Sequence, residues 1–172
     1  MRVLSLDSSL SKTGWAVLNV SSGTVTVEAV GLIKTDAKKS DGERLRQIND
    51  GIMSILSDYP DIHTVIPIEE GIVRFNTATK QIAKARGVIE FSLEDYTLEG
   101  VNISTVKAWA RRHLNAPKSR KDKAVVAEAV EDLYGSVDGL YTARGKLIDD
   151  ISDAIAVGTV WAIKHKYIEE ER

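Results

Sequence analysis

Acidic residues stand at three places where burial should forbid them, and this constrains the fold more than any other feature. The apolar run Val3-Leu4-Ser5-Leu6 reads as a buried strand and closes on Asp7. A second run, Thr64 to Ile68, closes on Glu69-Glu70-Gly71. Asp149, Asp150 and Asp153 open a final helix whose inward positions are Ile151, Ala154, Ile155, Gly158 and Ala162. A carboxylate at the end of a buried strand is costly unless something compensates its charge. Strand ends and the first turn of a helix can bring such acids to one point from distant parts of the chain. On a helix, Asp150 and Asp153 share a face, as do Asp149 and Asp153. Hard oxygen donors of this kind suit Mg2+, and two ions held together need several converging carboxylates. Each acid also has a local explanation. Asp7 can cap the turn that begins at Ser8. Asp149 or Asp150 can be a helix N-cap. Glu69 and Glu70 can form a solvated strand end.

The elements around these acids suggest an architecture. Gly14 to Val20 and Thr24 to Ile33 read as strands joined by a tight Ser21-Ser22-Gly23 turn, making an antiparallel meander with the first strand. Ser40 and Glu43 have the spacing of a capping box, and Leu45, Ile48, Ile52, Ile55 and Leu56 keep helical periodicity as far as Tyr59-Pro60. A helix follows from Asn76 to about Leu93, with Ala78, Ile82, Ala85 and Ile89 on its apolar side and Lys80 and Lys84 opposite. Val101 to Ile103 is a short strand, and helices are expected over 104–114, 119–133 and 149–167. Tyr134 to Lys146, with Gly135, Gly139 and Gly145, is a loop. A meander followed by alternating strand and helix implies a mixed five-stranded α/β sheet flanked by helices. The 172 residues suit a single domain over 1–172.

Charge distribution matters more than its total. The formal net charge is −2, yet Lys107, Arg111, Arg112, Lys118, Arg120, Lys121 and Lys123 are opposed only by Asp122, leaving +6 in that stretch and −8 elsewhere. Such asymmetry lets an acidic protein own a phosphate-binding face. A solvated helix surface is the plainer reading of the same residues. There is no cysteine, so thiolate metal sites and cysteine nucleophiles are excluded. His63, His113 and His165 are scattered, and Trp15, Trp109 and Trp161 fall at core positions. The early charge at Asp7 breaks any signal-peptide apolar region, and no apolar run is long enough to cross a bilayer. A soluble, cytoplasmic protein is expected.

Asp7 with Thr13-Gly14, then Ile68-Glu69, then Asp150-Ile151-Ser152-Asp153-Ala154 resembles the RuvC family of Holliday-junction resolvases. Asn76, the Ala85-Arg86-Gly87 triplet, Val106-Lys107 and Lys123 extend the resemblance over nearly the whole chain. It implies an RNase H-like fold in which Asp7, Glu69, Asp150 and Asp153 meet. It also implies metal-dependent cutting of four-way junctions and branched DNA by a homodimer, with two Mg2+ per site and Mn2+ as substitute. Lys80, Lys84 and the basic stretch from Lys107 to Lys123 would then hold the DNA backbone. Ser9 stands where the family usually has glycine. Ile72 stands where an aromatic wedge is usual, with Phe75 the nearest aromatic, and the 134–146 loop is longer. These departures suggest a phage-like branch, acting in the host cytoplasm. The same nuclease chemistry on forks, flaps or RNA–DNA hybrids is an alternative. So is an actin-like or sugar-kinase-type ATP-binding domain, which shares the Leu6-Asp7 to Thr13-Gly14 opening but needs about twice this length. A DNA-binding module without catalysis is a third.

Overall fold

The computed structural model describes residues 1–70 and 77–169, with side chains omitted over 77–79. The strands are β1 (Arg2–Asp7), β2 (Lys12–Ser21), β3 (Thr24–Lys34), β4 (Val65–Glu70) and β5 (Thr97–Asn102). The helices are α1 (Asp41–Asp58), α2 (Thr77–Ser92), α3 (Ile103–His113), α4 (Asp122–Tyr134) and α5 (Asp149–Lys164). They build one mixed sheet in the order β3-β2-β1-β4-β5. The meander pairs antiparallel, with Asp7 opposite Gly14, whereas β1, β4 and β5 run parallel, with Leu6 opposite Ile68. The expected mixed five-stranded sheet flanked by helices is therefore present.

Both faces of the sheet are covered, which is why β1 has no polar side along most of its length. Leu4 and Leu6 pack with Ile48, Ile52, Ile66 and Ile68 under α1 and α2, while Val3 packs with Ile155, Val157 and Trp161 on the other side. Eleven residues of α5, from Ile151 to Ala162, are buried. A helix apolar on every side belongs in an interior, and α5 lies flat across the meander. A Cβ placed at Gly158 would come within 2.5 Å of the Leu18 side chain. Beside it, the Ser5 hydroxyl donates to the Ala154 carbonyl at 2.8 Å, satisfying a polar group with no exposure at all. The Ser40–Glu43 capping box of α1 forms with both of its reciprocal bonds.

Three local expectations are corrected. The fifth strand covers 97–102 rather than 101–103, since ladder bonds to β4 carry Thr97, Glu99 and Gly100 into the sheet without an apolar pattern. The last helix stops at Lys164, short of Tyr167. Ile82 is 41% exposed rather than inward, and α2 rests on Ala85 and Ile89, with Leu93 just beyond its end. Ala78 falls among the side chains outside the description. Among the described residues, no helix is long and apolar enough to cross a membrane.

Candidate active site

Parallel pairing of β1 and β4 sets Asp7 and Glu69 side by side at the same end of the sheet. Asp153, one turn into α5, reaches the same point. Carboxylate oxygens of Asp7, Glu69 and Asp153 all lie within 4.8 Å of one another. Asp150 sits a turn earlier on α5, close enough to act on Asp7 electrostatically but outside that group of three. Glu70 points to the opposite face, its carboxylate lying against Gly100.

The Thr13-Gly14 pair explains how a helix can begin so close to a strand. A Cβ on Gly14 would stand 1.9 Å from the carbonyl oxygen of Asp150, so only glycine lets the first turn of α5 lie over β2 beside Asp7. Thr13, fully buried, donates its hydroxyl to the Ser9 carbonyl at 3.2 Å and closes the intervening turn. Ser9, where a glycine was the familiar choice, braces that turn too. Its hydroxyl donates to the Lys12 carbonyl at 2.6 Å and accepts from the Lys12 amide at 3.1 Å.

Crowded acids cannot all ionise. Burial, then the charges of Glu69, Asp153, Asp150 and Asp149, pushes the Asp7 carboxyl up to about 9. Burial and Glu69 raise Asp153 to about 7. Glu69 is raised by burial against the opposing field of Lys107. All are all-oxygen donors, half-buried, with no thiolate or imidazole among them, so the set fits a hard divalent cation that would displace these protons. The proton count yields a test. An acid whose folded pKa is raised contributes its full stability below the unfolded value near ~4, and loses it as pH rises through the folded value. The metal-free protein should therefore lose stability between pH 5 and 9, by roughly 5 °C or more in Tm. Millimolar Mg2+ should remove most of that slope in calorimetry. A metal-free Tm that rises over this interval would mean that the acids do not share one site.

A cleft of about 250 Å³ opens over the cluster, lined by Asp7, Glu69, Asp153, Ile103, Val126, Lys107, Asp122 and Lys123. The basic stretch is less self-repelling than its sequence suggests. Lys107 pairs with Asp122 at 3.2 Å, Lys123 pairs with Asp149, and Arg120 pairs with Glu128. Arg111 departs most from the expected solvated position. It donates to the Pro117 and Arg120 carbonyls and to Asp122, bracing the connection between α3 and α4. Lys118 and Lys121 are exposed there, as is Arg112. Lys80 and Lys84 are exposed on α2, with Lys84 paired to Asp41. Asp149 is corrected in role: Ile148 occupies the N-cap of α5, and Asp149, the first helical residue, holds Lys123 instead. Ile72, Phe75 and Asn76 lie outside the described residues.

The histidines stay apart from the clustered acids. His113 pairs with Asp132 and stacks on Trp109, and His165 bonds Glu99 at the far end of α5. Trp109 and Trp161 are core residues, and Trp15 is half-buried against Gly31. Glu99 was not anticipated: it accepts from Trp161 Nε1, Lys164 and His165, tying β5 to α5.

A sheet in this order, with acids ending the adjacent interior strands β1 and β4 and a third on the helix that crosses it, is the frame of the RNase H-like fold. The family model described as crossover junction endodeoxyribonuclease RuvC matches residues 3–165, and the chain belongs to that family. RuvC of Paramagnetospirillum magneticum is 40% identical over 91 residues and that of Rhodospirillum rubrum 34% over 90, each alignment covering 52% of this chain. The matched stretch spans about half the length of these two relatives, 53% and 52%. RuvC of Ehrlichia canis is 27% identical over 97% of both proteins. T. thermophilus RuvC in complex with Holliday junction substrate superposes with a TM-score of 0.77, covering 96% of this chain and 95% of that one at 19% identity. A Fowlpox virus resolvase gives 0.52 at 13% identity, with 96% and 99% covered. None of these relatives is a phage protein, and they lend no support to a phage-like branch. Family membership sets aside the ATP-binding alternative.

Proposed function

We propose that this chain is a structure-selective endonuclease that cuts Holliday junctions and related branched DNA by metal-dependent phosphodiester hydrolysis. The observation that carries this reading is the convergence of Asp7, Glu69 and Asp153 beneath a cleft rimmed by Lys107 and Lys123. Asp7, Glu69, Asp150 and Asp153 would hold divalent cations, two Mg2+ with Mn2+ as substitute. When bound, such ions activate water and stabilise the departing 3′-oxygen. The residues do the rest. Carboxylates at the cluster orient the attacking water and take up its proton. Water adds to phosphorus as the bond to the 3′-oxygen breaks, leaving a 3′-hydroxyl and a 5′-phosphate. Lys107 and Lys123 face the phosphate and offset its developing charge. Further out, Lys118, Lys121, Arg112, Lys80 and Lys84 contact the backbone, setting register rather than reading sequence. Arg120, beside Glu128, joins them, and Arg111 supports that surface from beneath.

A four-way junction has two strands to cut, so paired incision needs two copies of the site and hence a homodimer. We place a single nuclease domain over the chain, acting in the cytoplasm on DNA. The decisive test is a panel of end-labelled four-way junctions, forks, flaps and RNA–DNA hybrids, incubated with and without Mg2+. Junctions should be cut fastest, in strands of like polarity, and only with the cation present. Faster cleavage of the hybrid would move the substrate elsewhere, and cutting in chelator would overturn the mechanism.

A further inference from the structure

The two lysines at the cleft rim differ in how they are held. Lys123 pairs with Asp149, feels the charges of Asp150 and Asp153, and is 73% exposed. Lys107 belongs to a chain of fixed groups. Its ammonium lies 3.2 Å from one oxygen of Asp122, whose other oxygen takes Arg111 at 2.6 Å. Arg111 is in turn pinned at 2.7 Å on the carbonyls of Pro117 and Arg120 and is only 20% exposed. Asp122 itself is the first residue of α4, where the helix dipole favours a negative charge. Arg111 and Lys107 together hold its carboxyl below the usual range, so it stays ionised.

Lys107 has a second electrostatic attractor. Its field already reaches Glu69 across the cleft, and the three clustered carboxyls line the same cleft as its flexible four-carbon side chain. Left free, an ammonium there would move toward Asp7, Glu69 and Asp153 and act as an internal counter-ion where a metal belongs. We infer that Asp122, buttressed by Arg111, is a positioning residue that keeps the Lys107 ammonium at the rim, facing phosphate, and out of the metal-binding cluster. Asp122 touches neither substrate nor metal; it acts through Lys107. This role rests on the proposed nuclease reading.

Asp122→Asn keeps the shape of the side chain and removes its charge. It should cut junctions roughly tenfold to a hundredfold more slowly at saturating DNA. The Mn2+ concentration that half-saturates binding, measured by calorimetry without DNA, should rise severalfold. Asp122→Glu should recover most of both. In a Lys107→Gln background, Asp122→Asn should add almost nothing to either readout, because the residue it controls is gone. Cooperative melting near the wild-type Tm checks that each variant is folded. Independent, multiplying effects of the two substitutions, or unchanged Mn2+ affinity in Asp122→Asn, would overturn the inference. A wild-type protein that cuts no branched DNA would instead remove the nuclease reading beneath it.

Discussion

Asp7→Asn should reduce junction cleavage on the order of a thousandfold or more, since several kcal/mol of charge stabilisation is removed and each ~1.4 kcal/mol is tenfold in rate. The same substitution should make the metal-free protein more stable at pH 8, not less. Asp7 sits among Glu69, Asp153, Asp150 and Asp149, and burial with these neighbours has pushed its carboxyl up to about 9. Asparagine reproduces the shape of the protonated acid and carries no charge to bury. A residue whose loss destroys activity and raises Tm is placed for chemistry rather than for folding. Junction binding in the absence of divalent cations should persist, because asparagine adds no negative charge to the surface facing the DNA. Glu70→Gln is the control: its carboxylate rests against Gly100 on the other side of the strand, and cutting should stay within about threefold of wild type. Single-turnover cleavage and melting curves for the two variants decide the matter. Near-normal cutting by Asp7→Asn would remove the acid cluster from the mechanism.

Gly14→Ala should be nearly as damaging, by another route. The added methyl would stand 1.9 Å from the Asp150 carbonyl oxygen and 2.5 Å from its carbon, both backbone atoms with no rotamer to change. Either β2 bends or the start of α5 lifts, and both displace Asp153 relative to Asp7. Overpacking of this kind costs about 1–3 kcal/mol, or roughly 3–10 °C for a domain of this size. An ångström of misplacement can cost about a hundredfold in rate. Gly87→Ala supplies the comparison, for a Cβ there meets open space on α2 and should add up to ~1 kcal/mol of stability. Thermal melts paired with cleavage assays separate the two. If Gly14→Ala were as benign as Gly87→Ala, α5 would not be seated by its contact with β2.

Asp7 and Glu69 are legible in the sequence because each closes an apolar run, and it is their joint occurrence with the acids of the last helix, more than either alone, that points to one site. The capping box at Ser40 is legible because its chemistry is local. What stays hidden depends on partners far away in sequence. Glu99 gives β5 a poor strand pattern, and only Trp161, Lys164 and His165 of α5 make its burial tolerable. Asp149 has the composition of an N-cap, yet Lys123, on another helix, takes its carboxylate. Arg111 reads as one of seven solvated cations, and nothing local reveals that the chain turns back to offer it two carbonyls and Asp122. The helical face of α2 misled for a related reason: periodicity marks which side of a helix is apolar, but not how far the neighbouring layer extends to cover Ile82.

The acids arrive at very different times. Asp7 is synthesised well before Asp153, which lies in α5, the helix that also seals one face of the sheet through its eleven buried residues. At synthesis rates of about 5–20 residues per second, the β1–β3 meander precedes α5 by several seconds at least. During that interval the nascent chain carries its lysines and two of its three clustered acids, but the third is missing and the layer that would hold it is open. Because one helix both closes the core and completes the cluster, a chain that stops before α5 should, on the proposed function, leave DNA uncut. Closing the core and completing the acid cluster are the same event.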